Sequence, residues 1–218
     1  MFNFSLNTII LPPKPDKTPK SAIIMCHGYG GDGKDISFLA YSWNRHLPDS
    51  IFLCPNGPEI CSINSSGYQW FDLSNEREDI LIEKSLVAER KLNVFINEVM
   101  TQYNLNSNQI ALVGFSQGCM MAIQTALKLK EQINCLIGYS GKIINQKYIS
   151  DKIISKPKIF LMHGYKDSIV PASHLLEAKE FLVKNNLKVK IKLFNDCEHR
   201  IPVEGSSLGL EFLRKNLL

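Results

Sequence analysis

Gly114-Phe115-Ser116-Gln117-Gly118 interrupts an apolar run, Ile110-Ala111-Leu112-Val113, and gives way to Met120, Met121, Ala122, Ala126 and Leu127. A strand that breaks at G-x-S-x-G and resumes as a helix is the layout of a nucleophile elbow. In such a turn a strained serine lifts its oxygen above a sheet. Gly114 and Gly118 suit that reading, because a side chain at either position would collide with the neighbouring strand or helix. The same spacing also describes a plain strand-to-helix turn with a serine in solvent. Nucleophilic attack from Ser116 requires three more parts: a base, an acid to orient it, and donors for an oxyanion.

Candidate bases are His27, His46, His163, His174 and His199. In parallel α/β folds that use a G-x-S-x-G serine, the chain order is nucleophile, acid, histidine. Asp151, Asp167 and Asp196 are the aspartates that follow the serine. Asp151 follows no clear strand, and Asp196 stands only three residues before His199, too close to orient its ring. Asp167 sits just past a strand end. Beyond it lie His174, inside a predicted helix, and His199, in the loop after the last strand. The order Ser116, Asp167, His199 follows; the competing reading makes Asp167 a turn former and His199 a surface residue.

The elements that must position these groups alternate along the chain. Residues 4–11 read as a short edge strand, followed by a proline-marked loop. Strands are predicted at Ser21–Cys26, 50–54, 110–113, Ile133–Tyr139 and Lys158–His163, largely apolar runs, and at Leu187–Phe194, which alternates. Helices are predicted at 36–47, from Glu76 to Tyr103, after the elbow, at 172–185 and at 205–216. In the long helix Ala88, Leu92, Phe95, Ile96, Val99 and Tyr103 form one apolar face, with Glu76, Glu78 and Asp79 at its start, where the helix dipole favours anions. The 187–194 strand alternates Val189, Ile191 and Leu193 with Lys188, Lys190 and Lys192, which predicts an edge strand guarded by lysines. A lysine row facing anionic lipid is the alternative. Residues 55–75 read as loop, whose Trp70-Phe71-Asp72 is either a folded-back minicore or a substrate wall. This alternation predicts an α/β fold, a mostly parallel twisted sheet with helices on both faces. Ser116, Asp167 and His199 would then meet beyond the carboxyl ends of its strands.

Gly28-Tyr29-Gly30-Gly31-Asp32-Gly33 matches the G-x-G-x-x-G dinucleotide fingerprint. That fingerprint also wants an acidic residue at the end of the second strand, and the 50–54 strand ends in Pro55-Asn56 instead. The competing reading is a glycine-rich loop that lends a backbone N–H to an oxyanion.

The 218 residues suit one domain, residues 1–218. Lys and Arg number 25 and Asp and Glu 21, a net charge of +4, which gives no reason to expect a nucleic-acid partner. Cysteines 26, 54, 61, 119, 135 and 197 contain no C-x-x-C pair and several lie in apolar runs, the pattern of buried free thiols in a reducing compartment. The N-terminal stretch lacks a basic region and a long apolar core, so no signal peptide is expected. No apolar run approaches the ~20 residues of a membrane helix. A cytoplasmic protein without an integral membrane segment is expected.

Together these residues make the chain similar to the phospholipase/carboxylesterase family of α/β-hydrolases, which includes acyl-protein thioesterases and small bacterial carboxylesterases. The resemblance runs from about residue 20 to the C-terminus. It rests on His27-Gly28-Tyr29-Gly30, Pro55-Asn56-Gly57-Pro58, Trp70-Phe71-Asp72, Gly114-Phe115-Ser116-Gln117-Gly118, His163-Gly164 with Asp167 and Val170-Pro171, and His199. The resemblance implies an α/β-hydrolase fold, Ser116 as nucleophile, His199 as base and Asp167 as the group that holds its tautomer. It implies an oxyanion hole from the backbone N–H groups of Tyr29 and Gln117, and it places Trp70 near the acyl groove. Packing of Tyr29, Trp70, Phe115, Ile169 and Ile201 would set the acyl length. Tyr29 stands where the family commonly has an aliphatic residue, Gly57 where it often has Ala, and Glu198 where it often has Gly.

The implied activity is hydrolysis of carboxylic esters or thioesters through an acyl-enzyme on Ser116, with short-chain esters, lysophospholipids and S-acyl proteins as candidate substrates. No metal or organic cofactor is expected. A homodimer is left open. The rival reading is a non-catalytic ligand-binding protein on the same fold; a serine peptidase is disfavoured by the lack of a large lid or a second domain.

Overall fold

The computed structural model describes residues 4–15, 17–74 and 77–217. Seven strands form its main sheet: β1 (Thr8–Leu11), β2 (Ser21–Cys26), β3 (Ser50–Pro55), β6 (Ile110–Phe115), β7 (Cys135–Tyr139), β8 (Lys158–Gly164) and β9 (Val189–Phe194). Their order across the sheet is β1-β3-β2-β6-β7-β8-β9. Only β1 runs antiparallel to its neighbour. Two-sided burial explains the sequence of the inner strands: β2 and β3 are buried at every position, so they read as continuous apolar runs and not as alternation.

Two apolar layers flank the sheet. Helices α1 (Gly33–Asn44) and α6 (Val203–Leu217) cover one face, where Ile36, Leu39, Trp43 and Leu213 pack on Ile23, Met25 and Val113. Helices α2 (Glu78–Tyr103), α3 (Gln117–Lys128) and α5 (Ser173–Lys184) cover the other with Leu92, Phe95, Ile123 and Leu182. The predicted apolar face of α2 is buried as expected at Ala88, Leu92, Phe95, Ile96 and Val99. Its expected start at Glu76 lies outside the described residues. A five-residue helix, α4 (Gln146–Ser150), carries too few residues for a periodic signal.

The chain opens at the sheet edge with β1, enters the middle with β2 and places β3 between those two, then builds the other side outward from β6 through β9. The sequence order therefore switches between the neighbours β2 and β6, where a crevice opens beyond the strand ends. The loop after β2 and the elbow after β6 both enter it.

Residues 55–75 depart from the expected plain loop. They hold a hairpin of β4 (Glu59–Cys61) and β5 (Asn64–Gln69). Asn, Ser and Gly dominate β5, so propensity argues against a strand. Tertiary contacts override it: Gly30 N donates to Tyr68 O (2.9 Å), Tyr68 N to Gly31 O (2.7 Å) and Asn64 Nδ2 to Gly30 O (2.8 Å).

β9 is an edge strand, as its lysines suggested. Val189, Ile191 and Leu193 pack on the core. Lys190 lies over the Phe160 ring, 4.5 Å from its centroid, and Lys192 pairs with Glu204 at 2.7 Å. The lysine stems thus cover the edges of the buried Phe160 and Phe194 rings while their charges stay wet.

The elbow itself depends on glycine at position 118. A Cβ there would stand 2.1 Å from Cys26 O and 2.5 Å from His27 O, both backbone atoms that cannot swing away. Gly118→Ala is therefore expected to lower stability by roughly 1–3 kcal/mol through forced backbone displacement, read as a shifted urea midpoint with an unchanged slope. An unshifted midpoint would show that the helix can retreat from β2.

Candidate active site

Three loops at the carboxyl ends of β6, β8 and β9 bring Ser116, Asp167 and His199 together. Ser116 takes φ 53° and ψ −119°, a conformation that an L-residue holds only under constraint from its surroundings. The constraint comes from both sides: Ser116 N donates to Tyr139 O (2.9 Å), and Ser116 O accepts from Met120 N in the first turn of α3 (3.1 Å). Ser116 Oγ lies 2.9 Å from His199 Nε2, and His199 Nδ1 lies 2.8 Å from Asp167 Oδ2. The Phe115 ring backs the imidazole at 4.9 Å between centroids.

The protons on this chain follow from its ends. The Asp167 carboxylate accepts, so His199 Nδ1 carries the hydrogen and Nε2 is bare toward the Ser116 hydroxyl. Asp167 is sealed from solvent, with 0% of its side chain exposed. Burial alone pushes its pKa up. The Val170 N–H (2.8 Å), the His199 ring and the Ile169 N–H (3.0 Å) outweigh that and hold the carboxyl below the usual range. The carboxylate is thus charged at neutral pH, and the arrangement can draw a proton from Ser116 onto His199. Asp151 and Asp196 lie outside it. Asp151 is exposed, and Asp196 pairs with Lys166 at 2.8 Å. His174 bonds Glu177 at 2.8 Å on α5.

The loop after β2 arrives beside the serine. A Cβ on Gly28 would stand 3.3 Å from the Ser116 Cβ. Gly57 N donates to His27 Nε2 (2.8 Å), which leaves Nδ1 as the protonated nitrogen, and Nδ1 donates to Gly28 O (2.7 Å). That fixes the Gly28–Tyr29 peptide. Its carbonyl faces the His27 ring, and in a trans peptide the Tyr29 N–H then points the opposite way. Gln117 opens α3, so its N–H is among the four that an α-helix leaves without an intrahelical acceptor.

Trp70 corrects an expectation. Its side chain is fully buried, and its indole N–H donates to His27 O (3.1 Å), so it forms a minicore under the β2 loop and not an acyl wall. The Gln117 side chain completes that minicore: Oε1 accepts from Trp70 N (2.9 Å) and Nε2 donates to Phe71 O (2.6 Å). Sequence reasoning assigned Gln117 only its backbone N–H. The buried amide on an elbow was the missed signal, because a fully buried Gln must find partners for both ends. Tyr29 reaches the hairpin instead, with its hydroxyl 2.7 Å from Ser62 Oγ.

A cavity of about 300 Å³ opens beside His199, lined by Gly28, Ile36, Phe38, Phe115 and Ile201 with Asp35 and Arg200. Phe115 and Ile201 are where the reading of the sequence wanted apolar walls. Ile169 is outside this cavity and 70% exposed. Among the described residues, no cluster of three or more His, Cys, Asp or Glu is placed to hold a metal ion.

Two other histidines are buried against this site. His27 and His163 are each held below the ordinary imidazole value, chiefly because burial disfavours the imidazolium. The unfolded chain binds protons on both as pH falls below about 6.5, while the folded chain does not. Stability is therefore fully present above that pH and is lost as pH falls through it. The urea midpoint is expected to drop between about pH 7 and pH 5. A flat midpoint over that window would count against buried neutral rings.

Residues 9–217 match the family model described as Phospholipase/Carboxylesterase. The acyl-protein thioesterase 1 of Schizosaccharomyces pombe is 28% identical over 218 residues, spanning 94% of this chain and 90% of its own. Esterase YpfH of Escherichia coli is 24% identical over 203 residues, spanning 92% and 84%. Among solved structures, esterase PE8 superposes with a TM-score of 0.92 at 33% identity, covering 97% of this chain and 99% of that one. The acyl-protein thioesterase 2 of Zea mays shares the fold, with a TM-score of 0.78 at 21% identity over 97% and 99% of the two chains. With the model matched over nearly its whole length, the chain belongs to the phospholipase/carboxylesterase family of α/β-hydrolases.

Proposed function

We propose that the protein hydrolyses carboxylic esters or thioesters through an acyl-enzyme on Ser116. The observation that carries this is the unbroken chain Ser116 Oγ–His199 Nε2 and His199 Nδ1–Asp167 Oδ2, at 2.9 and 2.8 Å, beyond the strand ends. Ser116 attacks the acyl carbon as His199 takes its proton. The carbonyl oxygen becomes an oxyanion, held by the N–H groups of Tyr29 and Gln117, each contributing ~2.7–4 kcal/mol as in comparable sites. The His199 imidazolium, steadied by Asp167, protonates the departing alcohol or thiol. Water then enters, gives its proton to His199 and releases the acid.

The cavity beside His199 bears on the substrate. Ile36, Phe38, Phe115 and Ile201 favour an apolar group, and ~300 Å³ lies at the small end of ligand sites. Short- and medium-chain acyl esters therefore fit this reading best; lysophospholipids and S-acyl proteins would share the same acyl-enzyme. Among the described residues no helix is long and apolar enough to cross a membrane. All six cysteines are free and buried, which supports a cytoplasmic setting. All three groups lie on one sheet, which supports reading residues 1–218 as a single domain. A non-catalytic binding protein would have no need of a hydrogen-bonded serine in a strained elbow.

A fluorophosphonate probe is expected to label Ser116 and, once bound, to abolish turnover of a p-nitrophenyl ester series whose activity peaks at short to medium acyl chains. A probe that leaves Ser116 unmodified would return the protein to the binding-module reading. A series that peaks at palmitate would remove the small-acyl assignment alone.

A further inference from the structure

His163 ends β8 next to Asp167, and nothing in the proton relay described above uses it. Its ring is sealed in, with 1% of the side chain exposed. Nε2 lies 2.8 Å from Val170 O and 3.2 Å from Asp167 Oδ2. Both neighbours are acceptors. A bare Nε2 would set a lone pair against a carbonyl and a carboxylate, so this nitrogen carries the hydrogen. Burial keeps the ring uncharged, which leaves a neutral N–H that donates to Val170 O, with Asp167 Oδ2 3.2 Å from the same nitrogen. The same Oδ2 receives the His199 Nδ1–H at 2.8 Å.

We propose that His163 is a positioning residue that sets, through the shared Asp167 oxygen, how readily His199 holds a proton. The proposal rests on the reading of Ser116, Asp167 and His199 as the proton relay. Its N–H dipole, 3.2 Å from the carboxylate oxygen, offsets part of the negative charge that would otherwise act wholly on the His199 imidazolium. It also ties Val170 O to β8, closing the 163–170 turn whose Val170 and Ile169 N–H groups hold the other Asp167 oxygen. The rest of the charge around this pair is engaged elsewhere. His174 on α5 pairs with Glu177, Lys166 pairs with Asp196, and among the described residues the titratable groups paired with Asp167 are His199 and His163.

The sign follows. Removing the N–H dipole makes the imidazolium at His199 easier to form, so the base is lost at a higher pH. His163→Leu is expected to move the acid limb of kcat/KM for p-nitrophenyl butyrate up by roughly half a pH unit to one unit. His163→Gln, which keeps an N–H donor, is expected to return the limb toward the wild-type position. If His163→Leu lowers kcat and thermal stability while the limb stays in place, the ring is a packing element and the proposal falls. Should His163→Leu fail to fold, ¹⁵N NMR of the wild-type histidines decides: a neutral Nε2–H tautomer at pH 7 supports the proposal, and an Nδ1–H tautomer or a charged ring overturns it. Ser116→Ala measured alongside separates the two readings. If that variant retains turnover, the relay itself is wrong; if it is inactive while the limb is unmoved by His163→Leu, only the role of His163 is.

Discussion

Ser116→Ala is expected to lower kcat for p-nitrophenyl butyrate by ~10⁴-fold or more, the scale of nucleophile removal in other serine hydrolases. The substitution deletes one oxygen, whose hydrogen-bond partner is His199 Nε2. The Phe115–His199 ring contact and the Asp167–His199 bond do not depend on it. The backbone strain at φ 53° is the same for Ala as for Ser, so the urea midpoint is expected to stay within about 0.5 kcal/mol of wild type. Loss of activity with stability retained is the signature of removed chemistry. Undiminished turnover by this variant would sink the assignment of the nucleophile.

Asp167→Asn is expected to cost kcat about 10⁴-fold, for a reason visible in the hydrogen bonds. Asp167 Oδ1 accepts from two backbone N–H groups, Ile169 and Val170. Asn must keep its one oxygen there, because an NH₂ would face two donors. Its NH₂ then faces His199 Nδ1, which must accept, and the imidazole is driven to the tautomer with hydrogen on Nε2. That nitrogen now points a hydrogen at Ser116 Oγ and cannot take one. KM for the ester is expected to change little, since Asp167 is sealed from the cavity. A variant that loses binding instead of kcat would place Asp167 in substrate contact.

Most of the sheet was legible because its inner strands are buried on both faces, so apolar runs such as SAIIMC and IALVGF stand out from their surroundings. Chain order and strand-end position then sufficed to bring out Ser116, Asp167 and His199. The hairpin was hidden, because NSSGYQ is held by backbone bonds to Gly30 and Gly31, partners more than thirty residues away. Trp70 stayed open between minicore and wall for a related reason: an aromatic in a long polar loop fits either until its amide and indole find Gln117 and His27. A subtler signal was available. His27-Gly28 and His163-Gly164 each put a histidine at the end of an apolar strand, just before a glycine. Both prove to be buried rings that position the loops following them, a role that composition and periodicity do not describe.

The relay joins Ser116 to His199, 83 positions apart in the chain, and the His199 loop is carried by the edge strand β9. Under the proposed function, hydrolysis requires that edge strand to be docked. A form with the elbow made but β9 undocked would hold a serine without its proposed base. Recovery of turnover after dilution from denaturant is therefore expected to report docking of β9, and fluorescence from Trp43 and Trp70, buried on opposite sides of the sheet, to report burial of the two apolar layers.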